Sequence, residues 1–118
     1  MLLDGLNHVA TLTQDTDRLQ DFYVGVFDAT VLRDGPEGPP DRKARMSIIE
    51  IGPHTELNVF EVPGNTEAEH QVPMFGRGRL DHFALHAASL EAFETLRGRL
   101  MARGAADDFV SDLGQMLS

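Results

Sequence analysis

Gly5-Leu6-Asn7-His8-Val9-Ala10-Thr11-Leu12 and Arg79-Leu80-Asp81-His82-Phe83-Ala84-Leu85-His86 follow one pattern. Leu6 matches Leu80, Asn7 matches Asp81, His8 matches His82 and Ala10 matches Ala84, each pair separated by the same 74 residues that separate His8 from His82. Both stretches alternate in polarity with a period of two, the mark of a half-buried strand. His8, Ala10 and Leu12 fall on one face of the first, with Val9 and Thr11 on the other. In the second, His82, Ala84 and His86 oppose Phe83 and Leu85. A strand repeated with a histidine at the same place predicts a duplicated module.

Working outward, each strand is followed by a helical pattern. From Asp15 to Phe27, the residues Leu19, Phe22, Tyr23 and Val26 recur at i, i+3, i+4 and i+7 and form one apolar stripe, with Asp15 or Thr16 as the N-cap. From Ser89 to Arg103 the stripe is Leu90, Phe93, Leu96 and Leu100. Ser89 caps it, Glu91 and Glu94 suit the positive end of the dipole, and Gly104 stops it. Each helix should cover the sheet face carrying Val9 or Phe83, leaving the histidine faces open.

After the first helix, Ala29 to Arg33 reads as a short strand, and the Gly/Pro-rich stretch Asp34 to Asp41 as a loop. Met46 to Ile51 and Glu56 to Val62 read as two strands turned by Gly52-Pro53. Residues 1–62 thus form a β-α-β-β-β module and 63–78 a linker, in which Met74-Phe75 either packs over the mouth of the sheet or anchors the linker. Residues 79–118 form a second module that is incomplete, β-α-β only, its last strand expected around Phe109–Val110 and Met116–Leu117. The expected fold class is α+β, with paired βαβββ modules forming a curled mixed sheet and helices on its outer face.

The chain carries 19 Asp and Glu against 10 Lys and Arg, a net charge of −9, which disfavours nucleic acid and anionic membrane surfaces. It has no cysteine, so disulfides, thiolate metal sites and thiol nucleophiles are excluded. Any metal site must use histidine, carboxylate or amide donors. No apolar run is long enough to span a bilayer, and the opening residues lack a signal-peptide pattern, so a cytoplasmic protein is expected. There is no glycine-rich phosphate loop and no Ser-His-Asp spacing.

Leu6-Asn7-His8-Val9-Ala10 followed by Asp17-Arg18-Leu19-Gln20-Asp21-Phe22-Tyr23, with Leu80-Asp81-His82-Phe83-Ala84-Leu85 opening the second copy, resembles the vicinal oxygen chelate superfamily (glyoxalase, bleomycin resistance protein and extradiol dioxygenase). The resemblance implies a cup of paired modules holding a divalent metal: Fe, Mn, Ni, Co or Zn. It implies His8 and His82 as metal ligands and an acid on the fourth strand, Glu61, as a third ligand and catalytic carboxylate. Glu56 and Asn58, on the opposite parity of that strand, remain its rivals. His86, two residues beyond His82, is a candidate substrate contact or proton carrier. The superfamily's further glutamate, on the last strand of the second module, has no counterpart in this sequence.

Two functions follow from the resemblance. One is a metal-dependent lyase, isomerase or dioxygenase acting on a small oxygenated substrate, where the metal stabilises an enolate or oxyanion. The other is a metal-free small-molecule binding protein of the bleomycin-resistance kind, for which the acidic charge suits a cationic ligand. Two short modules with an unpaired strand edge also predict a homodimer.

Overall fold

A computed structural model describes residues 2–41, 43–70, 72–73, 76, 80 and 82–118. In chain order the elements are β1 (His8–Thr13), α1 (Thr16–Phe27), β2 (Thr30–Glu37), β3 (Ala44–Gly52), β4 (Thr55–Glu61), a 3-10 turn (Glu67–Glu69) and α2 (Leu90–Ala102). They fall into two compact units, Met1–Phe83 and Ala84–Ser118. The first is an α+β module with an open, mixed four-stranded sheet in the order β1-β4-β3-β2. β1 runs parallel to β4, and the other neighbours are antiparallel.

The Asp15 carboxylate accepts the Arg18 N–H at 2.9 Å and starts α1. Asp28, left-handed at φ 56, ends it by donating its N–H to the Tyr23 and Val24 carbonyls. The stripe predicted from spacing then packs on the sheet. Leu19 and Tyr23 meet Ile49, Leu57 and Val59, joined by Val9, Val31 and Ile51. Ile49, Leu57 and Val59 are wholly buried, so α1 covers the face that carries Val9. At the edge of this face, the Gln20 amide donates to Ser47 Oγ (2.9 Å) and Asp34 (3.1 Å). Arg45 bonds both Asp34 (2.6 Å) and Asp17 (2.7 Å). These polar contacts tie α1, β2 and β3 together where the apolar core ends.

Two expectations change. β2 runs on to Glu37 instead of ending at Arg33, through a stretch expected to be a loop. Among the described residues its only strand partner is β3, and an edge strand tolerates Pro36 because the missing N–H leaves no ladder on the open side incomplete. In the second copy of the duplicated strand, Arg79 and Asp81 lie outside the described residues, and residues 82–86 carry no ladder. The physical reason lies in the first copy. β1 owes all its pairing to a parallel β4, and β4 is already flanked by β1 and β3. The second copy has the strand's polarity pattern, but among the described residues no counterpart of β4 follows it.

The second unit holds α2, capped by Ser89 Oγ accepting the Ala92 N–H at 3.1 Å. The strand expected around 109–117 is a tight hairpin instead. A single bridge joins Asp112 to Leu117, and Ser111 and Ser118 exchange bonds of 2.6 and 2.9 Å. Met74 and Phe75, expected to anchor the linker or pack over the mouth of the sheet, lie outside the described residues.

Candidate functional site

Strand pairing sorts the polar residues of the first module onto two faces. With α1 covering one face, the other carries His8, Ala10 and Leu12 from β1 and Glu56, Asn58 and Phe60 from β4. Met46, Ile48 and Glu50 of β3 continue it. The register sets His8 beside Glu56, Ala10 beside Asn58 and Leu12 beside Phe60. Glu50 stands across from Glu56 on its other side.

Two bonds lock the His8–Glu56 end. The Glu56 N–H donates to the Asn7 carbonyl at 2.9 Å, and the Thr55 hydroxyl donates to the Leu6 carbonyl at 2.9 Å. His8 Nδ1 lies 2.7 Å from the side-chain oxygen of Asn7. A ring nitrogen facing an amide oxygen is the donor, which leaves Nε2 as the lone-pair nitrogen. An imidazole oriented in this way by a neighbouring acceptor is the usual form of a metal-ligating or proton-accepting histidine. Asn7 was not singled out from sequence, although it adjoins His8 inside the repeated motif.

Glu61 stands elsewhere. It shares the face of Leu57 and Val59, opposite to His8, and its register partner is Thr13. One carboxylate oxygen accepts the Thr16 hydroxyl at 2.6 Å and the Thr16 backbone N–H at 2.9 Å. Those two bonds, the hydroxyl first, hold the Glu61 carboxyl below the ordinary glutamate value. Glu61 therefore fastens the N-terminus of α1 to the end of β4. Of the three acid-or-amide candidates on that strand, Glu56 and Asn58 are the ones that share a face with His8.

His82 and His86 are both exposed, and His86 belongs to the second unit. Among the described residues, no three His, Asp or Glu side chains gather closely enough to hold a metal ion. An imidazole and a carboxylate at paired register positions on one sheet face nonetheless suit two positions of a histidine–carboxylate donor set. The Asn58 side-chain oxygen, next along the same strand, is buried without a hydrogen-bond partner.

At the far end of the open face lies a cleft of about 490 Å³, floored by Ala10, Leu12 and Phe60 and rimmed by Glu67 and Ala68. The rim is held in place by side-chain bonds. The Gln14 amide donates to the Asn65 carbonyl at 2.7 Å, and the Asn65 side chain accepts the Glu67 N–H at 2.9 Å. Sequence reading missed this cleft because its rim comes from a stretch taken as linker. Asn65 two residues ahead of Glu67 is the one local signal, since Asn commonly closes such turns.

The description "Glyoxalase/Bleomycin resistance protein/Dioxygenase superfamily" belongs to a family model that matches residues 5–115. Among solved structures, a glyoxylase/bleomycin resistance protein/dioxygenase domain from Frankia sp. EAN1pec is 24% identical with a TM-score of 0.65, covering 94% of this chain and 77% of that one. The structure of SMU.1112c is 22% identical with a TM-score of 0.54, covering 92% of this chain and 81% of that one. These two likenesses speak to fold alone. No protein of curated function matches. With the family model spanning nearly the whole chain and the sheet topology agreeing, this chain belongs to the glyoxalase/bleomycin resistance protein/dioxygenase superfamily.

Proposed function

We propose that this chain is a glyoxalase- or dioxygenase-like metal-dependent enzyme acting on a small oxygenated molecule at the open face of its first module. The observation that carries the reading is the register pairing of His8 with Glu56 on the face that α1 leaves uncovered. His8 Nε2 and the Glu56 carboxylate would hold the ion, taken from Fe, Mn, Ni, Co or Zn. His82, at the matching place of the repeat, is the proposed third donor. When bound, the ion supplies Lewis-acid stabilisation to a developing enolate or oxyanion. Asn7 keeps the His8 ring in the tautomer that presents Nε2. Glu50, across the strand from Glu56, adds a second carboxylate that favours a cation at this end of the sheet. His86 is proposed as a proton carrier. We further propose a homodimer, to be checked by sedimentation.

The test is calorimetric titration of the full chain and of His8→Ala, Glu56→Gln and His82→Ala with Ni(II), Zn(II), Co(II), Mn(II) and Fe(II). Removal of one ligand should weaken binding by at least about tenfold, the scale on which even indirect metal contacts act. Uptake untouched by His8→Ala and Glu56→Gln would overturn the reading.

A second reading is a metal-free small-molecule binding protein. It is favoured by the cleft over Leu12 and Phe60, whose volume of about 490 Å³ is in the range of small-ligand sites. In that case a ligand would bind in the presence of chelator.

A further inference from the structure

We infer that the cleft between Phe60 and Glu67 is a subsite for a small organic cation, an ammonium group carried on an apolar body. The inference rests on the open face being the ligand-binding face, and not on a metal being held there. The cleft lies at the Leu12–Phe60 end of the β1–β4 pair, four residues along β1 from His8.

Its lining combines the Phe60 ring, the aliphatic side chains of Ala10, Leu12 and Ala68, Thr11 between Ala10 and Leu12 on β1, and a single ionisable group, the acid Glu67. The floor of Ala10, Leu12 and Phe60 offers apolar contact and one ring face or edge, but no hydrogen-bond donor from a side chain. A cation is attracted to the negative face of an aromatic ring and to a carboxylate, and the cleft holds one ring and one carboxylate. An anion would meet only repulsion from Glu67. The rest of the face points the same way. Its other charged positions on the central strands, Glu50 and Glu56, are acidic. Arg33, the basic residue that reaches this face from β2, is 2.6 Å from Glu37 and neutralised by it. Arg45, on the neighbouring strand, is turned to the α1 side, where Asp17 and Asp34 hold it. With a net charge of −9 the long-range field also favours arrival of a cation.

The backbone of the rim residue is held by two side chains. Glu67 begins the 3-10 turn, its N–H held by Asn65, whose carbonyl is in turn held by Gln14 at the end of β1. His70 Nδ1 lies 3.3 Å from the Glu67 carboxylate.

The experiment uses the full chain, with chelator present, and three probes of one shape: benzylammonium, benzyl alcohol and benzoate. Binding is followed by calorimetry and by the shifts of the Phe60 ring resonances. Benzylammonium should bind at least about fivefold more tightly than benzyl alcohol, with benzoate weaker still, consistent with an exposed cation–aromatic contact plus one carboxylate. Glu67→Gln, a surface change that leaves the core intact, should remove most of the preference for the cation. Phe60→Leu, which keeps the apolar volume, should weaken the cation more than the alcohol. Equal binding of cation and alcohol, or a cation preference that survives Glu67→Gln, would overturn the inference, as would no saturable binding of benzylammonium up to about 10 mM, beyond which a contact is too weak to be a site. Because chelator is present and neither His8 nor Glu56 is altered, failure here leaves the metal reading standing, and the reverse also holds.

Discussion

Replacing Glu61 tests directly whether it serves as a helix anchor or as a metal ligand. Thr16 is completely buried, and both its hydroxyl and its backbone N–H give their hydrogen bonds to one oxygen of Glu61, at 2.6 and 2.9 Å. A hydrogen bond to a charged group is worth about 1.5–3 kcal/mol, and stranding a buried donor costs about 1–3 kcal/mol. A carboxylate at a helix N-terminus adds about 0.3–1 kcal/mol. The two bonds share one acceptor and the carboxylate is partly exposed, so the low end of these ranges applies. Glu61→Ala should therefore cost about 2–3 kcal/mol, and Glu61→Gln, which keeps an acceptor but loses the charge, about 1 kcal/mol. For a chain of this size the alanine variant should melt roughly 10 °C lower. The pH dependence has a definite sign. The folded-state pKa of Glu61 is depressed, so its contribution is complete above the unfolded value of about 4.3 and is lost as pH falls through the lower folded value. The assay is urea unfolding followed by circular dichroism at pH 7 and through pH 5 to 3, run beside the metal titration. The anchor predicts a lower midpoint with metal uptake unchanged. A Glu61→Gln protein with wild-type stability and no metal uptake would refute the reasoning and return Glu61 to the ligand set.

Three further outcomes are expected. Hydrogen bonds from Arg45 and then Gln20 lower the Asp34 pKa to about 2. Its stabilising contribution is complete above about pH 4 and fades as pH falls towards 2, so Asp34→Asn should flatten acid unfolding in that window. Leu57→Ala, at a side chain 1% exposed beneath α1, should cost about 2–5 kcal/mol in denaturant titrations, whereas Ile49→Val should cost only about 0.5–1.5 kcal/mol. Ser89→Ala should remove about 1 kcal/mol from α2 alone, seen as faster amide exchange of Ala92 and its neighbours with β1–β4 unaffected.

Much of the first module was legible because period and turn chemistry agree there. The i, i+3, i+4 stripe of α1 and the alternation of β1 each name the buried face, and Leu19, Tyr23 and Val9 do meet in one core. The end of β2 was illegible because Gly35 and Pro36 are loop-formers by local preference, and only their place on an edge strand lets them pair. The cleft rim was illegible for a related reason. A three-residue 3-10 turn has no hydrophobic period, and its position is set by a bond from Gln14, 51 residues from Asn65.

The acid proposed for the site shows where a parity argument needs a physical anchor. Along β4, Glu56 and Asn58 alternate with Leu57, Val59 and Glu61, so sequence separates the two sets without saying which one faces the histidine. Burial decides it. Leu57 and Val59 must be the pair that enters the core, since a strand covered on one side buries its aliphatic face. Val9 enters the same core from β1, and His8, its neighbour in sequence, is thereby sent to the other side. Glu61 shares parity with the buried pair and finds a helix N-terminus there, where a carboxylate is stabilised without a metal. Glu56 follows Asn58 to the open side. The same logic explains the silent second copy. Its alternation around His82 is as regular as that of β1, but alternation only chooses a face. A strand also needs a partner for its backbone, and in the first module that partner is β4.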